Sequence, residues 1–319
     1  MKLKTIFWGT PSYVLPVLEY TRNNEELLAV VTRCDKASGR HCRITPSPVK
    51  ESAVKMGIPV FTPENLKDAD FISSIKSLSP DFAVVVAYGK IIPAEIIKIF
   101  PYGCLNLHFS LLPLYRGAAP IQWTLINGEK KTGVTGFLIE EKLDTGRIIS
   151  CKSLNIEHKD TLESLRERLV RLSLDVLGDS IGKIKTGFKG TAQSGNTSYA
   201  PQLKKHNGRI NWSRSAIEIE NFIRGLLPWP CAWSEIGTKS SSRVTIKILC
   251  AEPVNFNDAD FGARAPGSLV AVQKDAGFIV KCGKGYLLVK TVHPSSKKVM
   301  SAWAFLQGHS FTPGNTILS

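Results

Sequence analysis

Hydrophobic and polar positions divide this chain into two patterns. In the first, short apolar runs alternate with amphipathic stretches. Leu3 to Trp8, Leu27 to Thr32, Val60 to Thr62 and Phe82 to Ala87 read as strands, and Phe82 to Ala87 is apolar throughout. An unbroken apolar run of that length suits the middle of a parallel sheet covered on both faces. Between them, Ser12 to Arg22, Pro48 to Met56, Asn65 to Leu78 and Ala94 to Phe100 read as helices. Thr10 and Pro11 are placed as N-cap and first helical residue, and Pro16 is tolerated if it falls in the first turn. Cys104 to His108 is a further strand, followed by a helix from Ala118 to Ile126. Two β-rich stretches follow, Gly133 to Ile139 and Arg147 to Ile156. A helix from Thr161 to Lys185 carries leucines at 162, 165, 169, 172, 174 and 177.

The second pattern begins beyond a Gly, Ser, Thr and Asn-rich stretch. Ser213 to Leu227 reads as a helix that stops at Pro228-Trp229-Pro230. Short β runs then follow at Val244–Leu249, Gly267–Val272, Gly277–Cys282 and Tyr286–Val292. The alternating half predicts a doubly wound α/β domain over 1–189, and the short strands predict a small barrel over 209–319, with 190–208 as linker. Trp229 is expected to pack beneath that barrel.

One strand carries chemistry. Asn106 and His108 are two apart, so on a strand they project from one face, and the strand then stops at Pro113. Ligands of doubly wound sheets sit beyond the carboxyl ends of the strands, where His108 falls. An amide N–H can hold the charge that develops on a carbonyl oxygen. An imidazole, with an ordinary pKa of about 6.5, can take and return protons. A carboxylate, Asp144 in Leu143-Asp-Thr-Gly146, can orient that ring. The set suits acyl transfer to an amine without a covalent enzyme intermediate. Read singly, each residue is more often an ordinary structural hydrogen-bonding group, and it is the ordered combination that favours catalysis.

Composition adds a partner. The net charge is +14; residues 1–189 carry 26 Lys and Arg against 20 Asp and Glu, and residues 190–319 carry 15 against 7. The shorter part is the more basic per residue, which favours a polyanionic partner. Arg209, Arg214, Arg224, Arg243 and Lys247 are its candidate phosphate contacts, and Trp229 and Trp233 its candidate stacking residues. No apolar run approaches the about 18–20 residues of a membrane span, and no secretory signal opens the chain. The seven cysteines form no Cys-x-x-Cys pair, so reduced thiols in a cytoplasmic protein are expected and no metal site is. Gly9-Thr10-Pro11 lacks the later glycines of a dinucleotide fingerprint, which disfavours a nicotinamide enzyme.

The run Asn106-Leu-His-Phe-Ser-Leu-Leu-Pro-Leu-Tyr-Arg-Gly-Ala-Ala-Pro120 resembles the signature of the folate-dependent formyltransferases, and its Arg116–Pro120 end is most similar to those acting on methionyl-tRNA. Gly9-Thr-Pro11, Val85-Val-Ala-Tyr-Gly89, Ser198-Tyr-Ala-Pro-Gln-Leu-Lys204, Pro228-Trp-Pro230 and Ser301–His309 follow in the family's order, so the resemblance is nearly full length. It implies a Rossmann-like catalytic domain and an OB-like β-barrel. It implies Asn106, His108 and Asp144 as catalytic residues, and Ser110, Leu111, Leu112 and Pro113 as the stretch binding 10-formyltetrahydrofolate. It also implies Arg40 and Arg43 as loop contacts to methionyl initiator tRNA, with no metal and a monomeric enzyme. The chain departs from the family at Glu140, Glu141, Lys142 and Arg147, around Asp144, and at His41 and Cys42 in the loop. Two other readings stay open: the same chemistry on a sugar-nucleotide amine or glycinamide ribonucleotide, and a nucleic-acid-binding protein that has lost catalysis.

Overall fold

The structure is a computed structural model that describes residues 1–38, 43–238, 243–257, 264–314 and 316–319. Two compact units emerge. One comprises Met1–Pro120, Lys131–Ile156 and Ser164–Pro201; the other comprises Ile121–Lys130, Glu157–Glu163 and Gln202–Ser319. The stretch expected as linker is thus divided at Pro201.

The first unit is built on strands β1 (Lys4–Gly9), β2 (Glu26–Val31), the small pair β3 (Lys36–Ser38) and β4 (Arg43–Thr45), then β5 (Val60–Phe61), β6 (Phe82–Val86), β7 (Cys104–His108), β8 (Lys131–Leu138) and β9 (Ile148–Asn155). Helices α1 (Leu15–Asn24), α2 (Pro48–Lys55), α3 (Ala69–Ser77) and α4 (Ala94–Ile97) intervene along the chain; α5 (Pro120–Ile126) falls in the second unit from Ile121 onward, and α6 (Leu162–Lys185) falls in the first from Ser164. The sheet order is β5-β2-β1-β6-β7-β8-β9. Pairing is parallel from β5 to β7, while β8 and β9 join antiparallel. β6 is buried at every position, as an inner parallel strand should be. Because the chain moves outward from β1 to β2 and returns to β6, the order reverses between β1 and β6, which makes this a Rossmann-like arrangement. β1, β6 and β7 run parallel, so Gly9, Val86 and His108 end on the same edge of the sheet.

Local details correct several boundaries. Thr10 does not cap a helix; its hydroxyl donates to the Tyr88 carbonyl at 3.1 Å and ties the ends of β1 and β6 together. Ser12–Val14 forms a 3-10 turn and α1 starts only at Leu15, with Pro16 in its first turn, where a missing N–H costs no helical bond. α3 starts at Ala69 rather than Asn65 because the Asp68 carboxylate accepts from the N–H groups of Asp70 and Phe71. Buried Glu25 accepts from the Leu3 N–H and from Lys185 at 2.7 Å, so α6 is pinned to the start of the sheet.

The second unit holds α7 (Ala216–Gly225), β10 (Ala232–Thr238), β11 (Val244–Val254), β12 (Leu269–Gln273), β13 (Gly277–Lys281), β14 (Tyr286–Pro294), β15 (Met300–Ser301), α8 (Ala302–Gln307) and β16 (Thr316–Leu318). Its antiparallel path is β12-β13-β14-β11-β10-β16, with β15 on β14. The two ends of the path meet, since Leu318 donates to the Gly267 carbonyl at 2.8 Å and Ser268 bridges Ile317. The result is a curled, barrel-like sheet. Two expectations are corrected here. The region after Pro230 is not β throughout, because α8 interrupts it, capped by Ser301 Oγ accepting from Ala304 N–H. Trp229 does not pack beneath the barrel: its side chain is 51% exposed.

Candidate active site

His108 ends β7, opposite Thr135 of the antiparallel neighbour β8, and Asn106 lies opposite Phe137. Both therefore sit where the sheet changes from parallel to antiparallel pairing. Asn106 is half-buried, and among the described residues its side-chain amide has no hydrogen-bond partner. His108 is buried. Its Nε2 lies 2.9 Å from the Tyr115 carbonyl, which can only accept, so Nε2 carries the proton in the neutral ring and Nδ1 carries the lone pair. Nδ1 faces the Asp144 carboxylate at 3.8 Å, beyond hydrogen-bond reach. The expected orienting bond from Asp144 is thus replaced by the one to Tyr115. The carboxylate instead accepts from the Gly117 N–H at 2.8 Å.

The turn after His108 is held from within. Ser110 is fully buried and its hydroxyl donates to the Leu114 carbonyl at 2.7 Å. Thr135 Oγ1 donates to the Ser110 carbonyl at 2.7 Å and accepts from the Leu112 N–H at 3.1 Å. Of the four residues expected to bind folate, Ser110 and Leu112 are buried, whereas Leu111 and Pro113 remain half-exposed.

Tyr115 and Asp144 both adopt left-handed backbone, with φ of 60° and 51°. Such strain persists only where the surroundings over-determine it. A strap, residues 190–200, supplies that here. Ser198 Oγ accepts from the Tyr115 N–H at 2.9 Å, and the Arg116 backbone donates to the Ser198 carbonyl and accepts from the Ala200 N–H. Gly117, with φ of 126°, must be glycine, since a Cβ would lie 2.6 Å from the Ala200 carbonyl oxygen. Arg147 Nε donates to the Gly190 carbonyl at 3.0 Å and so fastens the strap.

Near the end of β6, Tyr88 meets Trp8 edge to face, with ring centres 5.2 Å apart. Burial and the neighbouring Cys34 push its phenol up to about 12, with Arg33 opposing. Burial also pushes the Cys104 thiol up. Arg40 lies outside the described residues, and Arg43 enters only as the backbone start of β4. Among the described residues no three His, Cys, Asp or Glu side chains gather as metal ligands, and no helix is long and apolar enough to cross a membrane. Tyr115, Thr135, Gln193 and Ser198 carry no residue pattern that marks them for the site; in the sequence only Gly117 signals a tight turn.

A family profile described as "Formyl transferase" matches residues 1–180, and one described as "Formyl transferase, C-terminal domain" matches residues 202–310. The chain belongs to the formyl transferase family. This formyl transferase is 42% identical over 311 residues to the methionyl-tRNA formyltransferase of Thermodesulfovibrio yellowstonii, covering 97% of each chain. It is 39% identical over 320 residues to the methionyl-tRNA formyltransferase of Caldanaerobacter subterraneus subsp. tengcongensis, covering 99% of this chain and 100% of the relative. In fold it is similar to the N-formyltransferase of Helicobacter canadensis, solved with folinic acid and dTDP-3-aminofucose. That likeness has a TM-score of 0.62 at 20% identity and covers 90% of this chain and 98% of the other.

Proposed function

We propose that this formyl transferase moves the formyl group of 10-formyltetrahydrofolate to the free amine of methionyl initiator tRNA. The observation that carries the reading is the pairing of an uncommitted Asn106 amide with the lone-pair nitrogen of His108, on one face of β7. The near full-length likeness to two relatives named for methionyl-tRNA supports the acceptor. The family's use of formyl-folate supports the donor, which when bound supplies an activated one-carbon acyl group.

In this reading the amine nitrogen bonds to the formyl carbon as the bond from that carbon to the folate nitrogen breaks. The Asn106 N–H donates to the formyl oxygen, where negative charge grows. His108 Nδ1 takes the proton the amine loses and delivers one to the leaving nitrogen. Nε2 stays fixed on the Tyr115 carbonyl throughout, so the ring does not turn between the two transfers. Asp144, at 3.8 Å, stabilises the positive ring between them. The half-exposed Leu111 and Pro113 provide apolar wall for the folate, while Ser110 and Leu112 lock that wall from behind.

The site fits the donor in one respect that can be checked. Its polar groups at 110–112 are spent on Leu114 and Thr135, so affinity for the pterin should not depend on the Ser110 hydroxyl as a direct donor. The test of function is an acceptor panel. With 10-formyltetrahydrofolate present, methionyl initiator tRNA should gain a formyl group, while dTDP-amino sugars and glycinamide ribonucleotide should not. Formylation of a small amine but not of the tRNA would overturn the acceptor. Salt-sensitive tRNA binding without turnover would overturn catalysis.

A further inference from the structure

Gln193 lies in a stretch that is otherwise open to solvent: Thr191, Ala192 and Ser194 to Thr197 are all exposed. Its own side chain is half-buried and turned toward the site. The amide nitrogen donates to two carbonyls of one turn, Asp144 and Gly146, both at 2.9 Å. The amide oxygen accepts from Arg116 Nη2 at 2.6 Å, in the other turn. Both donor hydrogens of this one side chain are therefore used, and its oxygen as well, across two segments that are distant in sequence.

Those two segments carry the groups whose separation matters. Arg116 lies between Tyr115, whose carbonyl fixes His108 Nε2, and Gly117, whose N–H fixes the Asp144 carboxylate. Asp144 is held in left-handed backbone, a conformation that an L side chain adopts only at a cost. Gly146 is equally constrained, because a Cβ there would collide with the Leu138 carbonyl. Without the Gln193 amide, the carbonyls of Asp144 and Gly146 would lose their described side-chain donor, and the strained turn would lose the bond that spans it.

We propose that Gln193 is a positioning residue that sets the placement of Asp144 against His108 Nδ1 by bridging the 144–146 and 115–117 turns. The inference rests on the role assigned to His108 and Asp144 above. Gln193 touches no reacting atom in this scheme and acts only through those two residues. Small displacements of a catalytic group by a remote change lower turnover steeply. A residue that acts through Asp144 should also lose its effect once Asp144 has lost its charge.

The experiment compares Gln193→Met, Asp144→Asn and the double variant, each as the full chain, in steady-state formyl transfer to methionyl initiator tRNA. Melting curves confirm that each is folded at the assay temperature. Gln193→Met keeps length and bulk while removing all three hydrogen bonds. It should lower kcat by about 10- to 100-fold with KM for the tRNA changed by less than about twofold. In the Asp144→Asn background the same substitution should cost less than about threefold. Unchanged kcat in Gln193→Met, or an equal loss in both backgrounds, overturns the proposal. If Gln193→Met does not fold, Gln193→Glu takes its place. It keeps an acceptor for Arg116 and places a carboxylate where the two carbonyls need a donor, so retained kcat in that variant also overturns the proposal. Full activity in Asp144→Asn would overturn the reading of Asp144 itself, and this inference with it, whereas an impaired Asp144→Asn beside an unimpaired Gln193→Met overturns the bridge alone.

Discussion

The turns around His108 and the basic surface of the second unit use polar groups in opposite ways. Around His108 nearly every polar atom is spent internally: Ser110 on Leu114, Thr135 on Ser110 and Leu112, Ser198 on Tyr115, Gln193 on Asp144, Gly146 and Arg116. Among the described residues, the Asn106 amide and the Nδ1 side of His108 stay open. In the second unit Arg209, Arg214, Arg243 and Lys247 are exposed, and their contacts are few: Arg243 lies 3.6 Å from Glu235 and donates to Ser319 Oγ at 3.0 Å at the surface, and Arg209 lies 5.7 Å over the Trp233 ring. Arg224 is the exception. It is held by the Asp160 carbonyl, Asn221 and Glu220, and so drops out of the expected phosphate contacts. Chemistry at a developing charge requires donors fixed in advance. Attraction of a polyanion requires charge with little ordering, because released counterions supply the gain.

The contrast is sharpest at His108. His108→Ala should lower kcat by about 10²–10⁴-fold, and Asn106→Ala by about 10²–10³-fold, with tRNA affinity nearly unchanged in both. Equal loss of turnover and affinity would erase the distinction between the two regions. Thr135→Val probes the fixed side from behind. It leaves the Ser110 carbonyl and the Leu112 N–H without their partner, so it should cost about 1–3 kcal/mol of stability by denaturant titration and also slow turnover. The loose side should respond differently. Arg209→Ala with Lys247→Ala should weaken tRNA binding and reduce the slope of log affinity against log salt by about 2, leaving kcat at saturation unchanged. A loss that does not depend on salt would argue for a structural role.

The smallest expected effect concerns Tyr88. Its phenol is raised to about 12 in the folded chain against an ordinary value of about 10. The contribution to stability is therefore complete below about pH 10 and is lost as pH rises toward 12. Absorbance titration at alkaline pH should show a late tyrosine component that Tyr88→Phe removes. Its persistence in that variant would place the late phenol elsewhere.

The alternation of apolar runs was enough to place the parallel core, since β6 and β7 lie where the pattern of apolar residues puts them. Helix starts were less legible because they depend on competition between caps: Asp68 captures α3 four residues later than the apolar pattern suggests. The antiparallel attachment of β8 and β9 is a matter of tertiary pairing, which period-2 alternation does not encode. β10 escaped notice because it reads Ala-Trp-Ser-Glu-Ile-Gly-Thr, with Gly237 inside it, and α8 because it spans under two turns. At the site, the spacing of Asn106 and His108 was readable from the strand period alone. The partner of His108 was not, since Tyr115 contributes a backbone carbonyl, which no residue type reveals. Gln193 was hidden in a segment whose composition speaks only of a linker.

That segment has a consequence for modularity. Residues 190–200 belong, by their bonds, to the candidate site: they hold the backbones of Tyr115, Arg116, Asp144 and Gly146 and are themselves fastened by Arg147. Compositionally they look like the dispensable stretch between two parts. A seam cut at Lys189 would strip the first unit of the support for its strained turns, while one cut after Pro201 would keep it. Any exchange of second units among relatives, whether by recombination in nature or by hand in the laboratory, should therefore preserve turnover only when the strap travels with the half that carries His108.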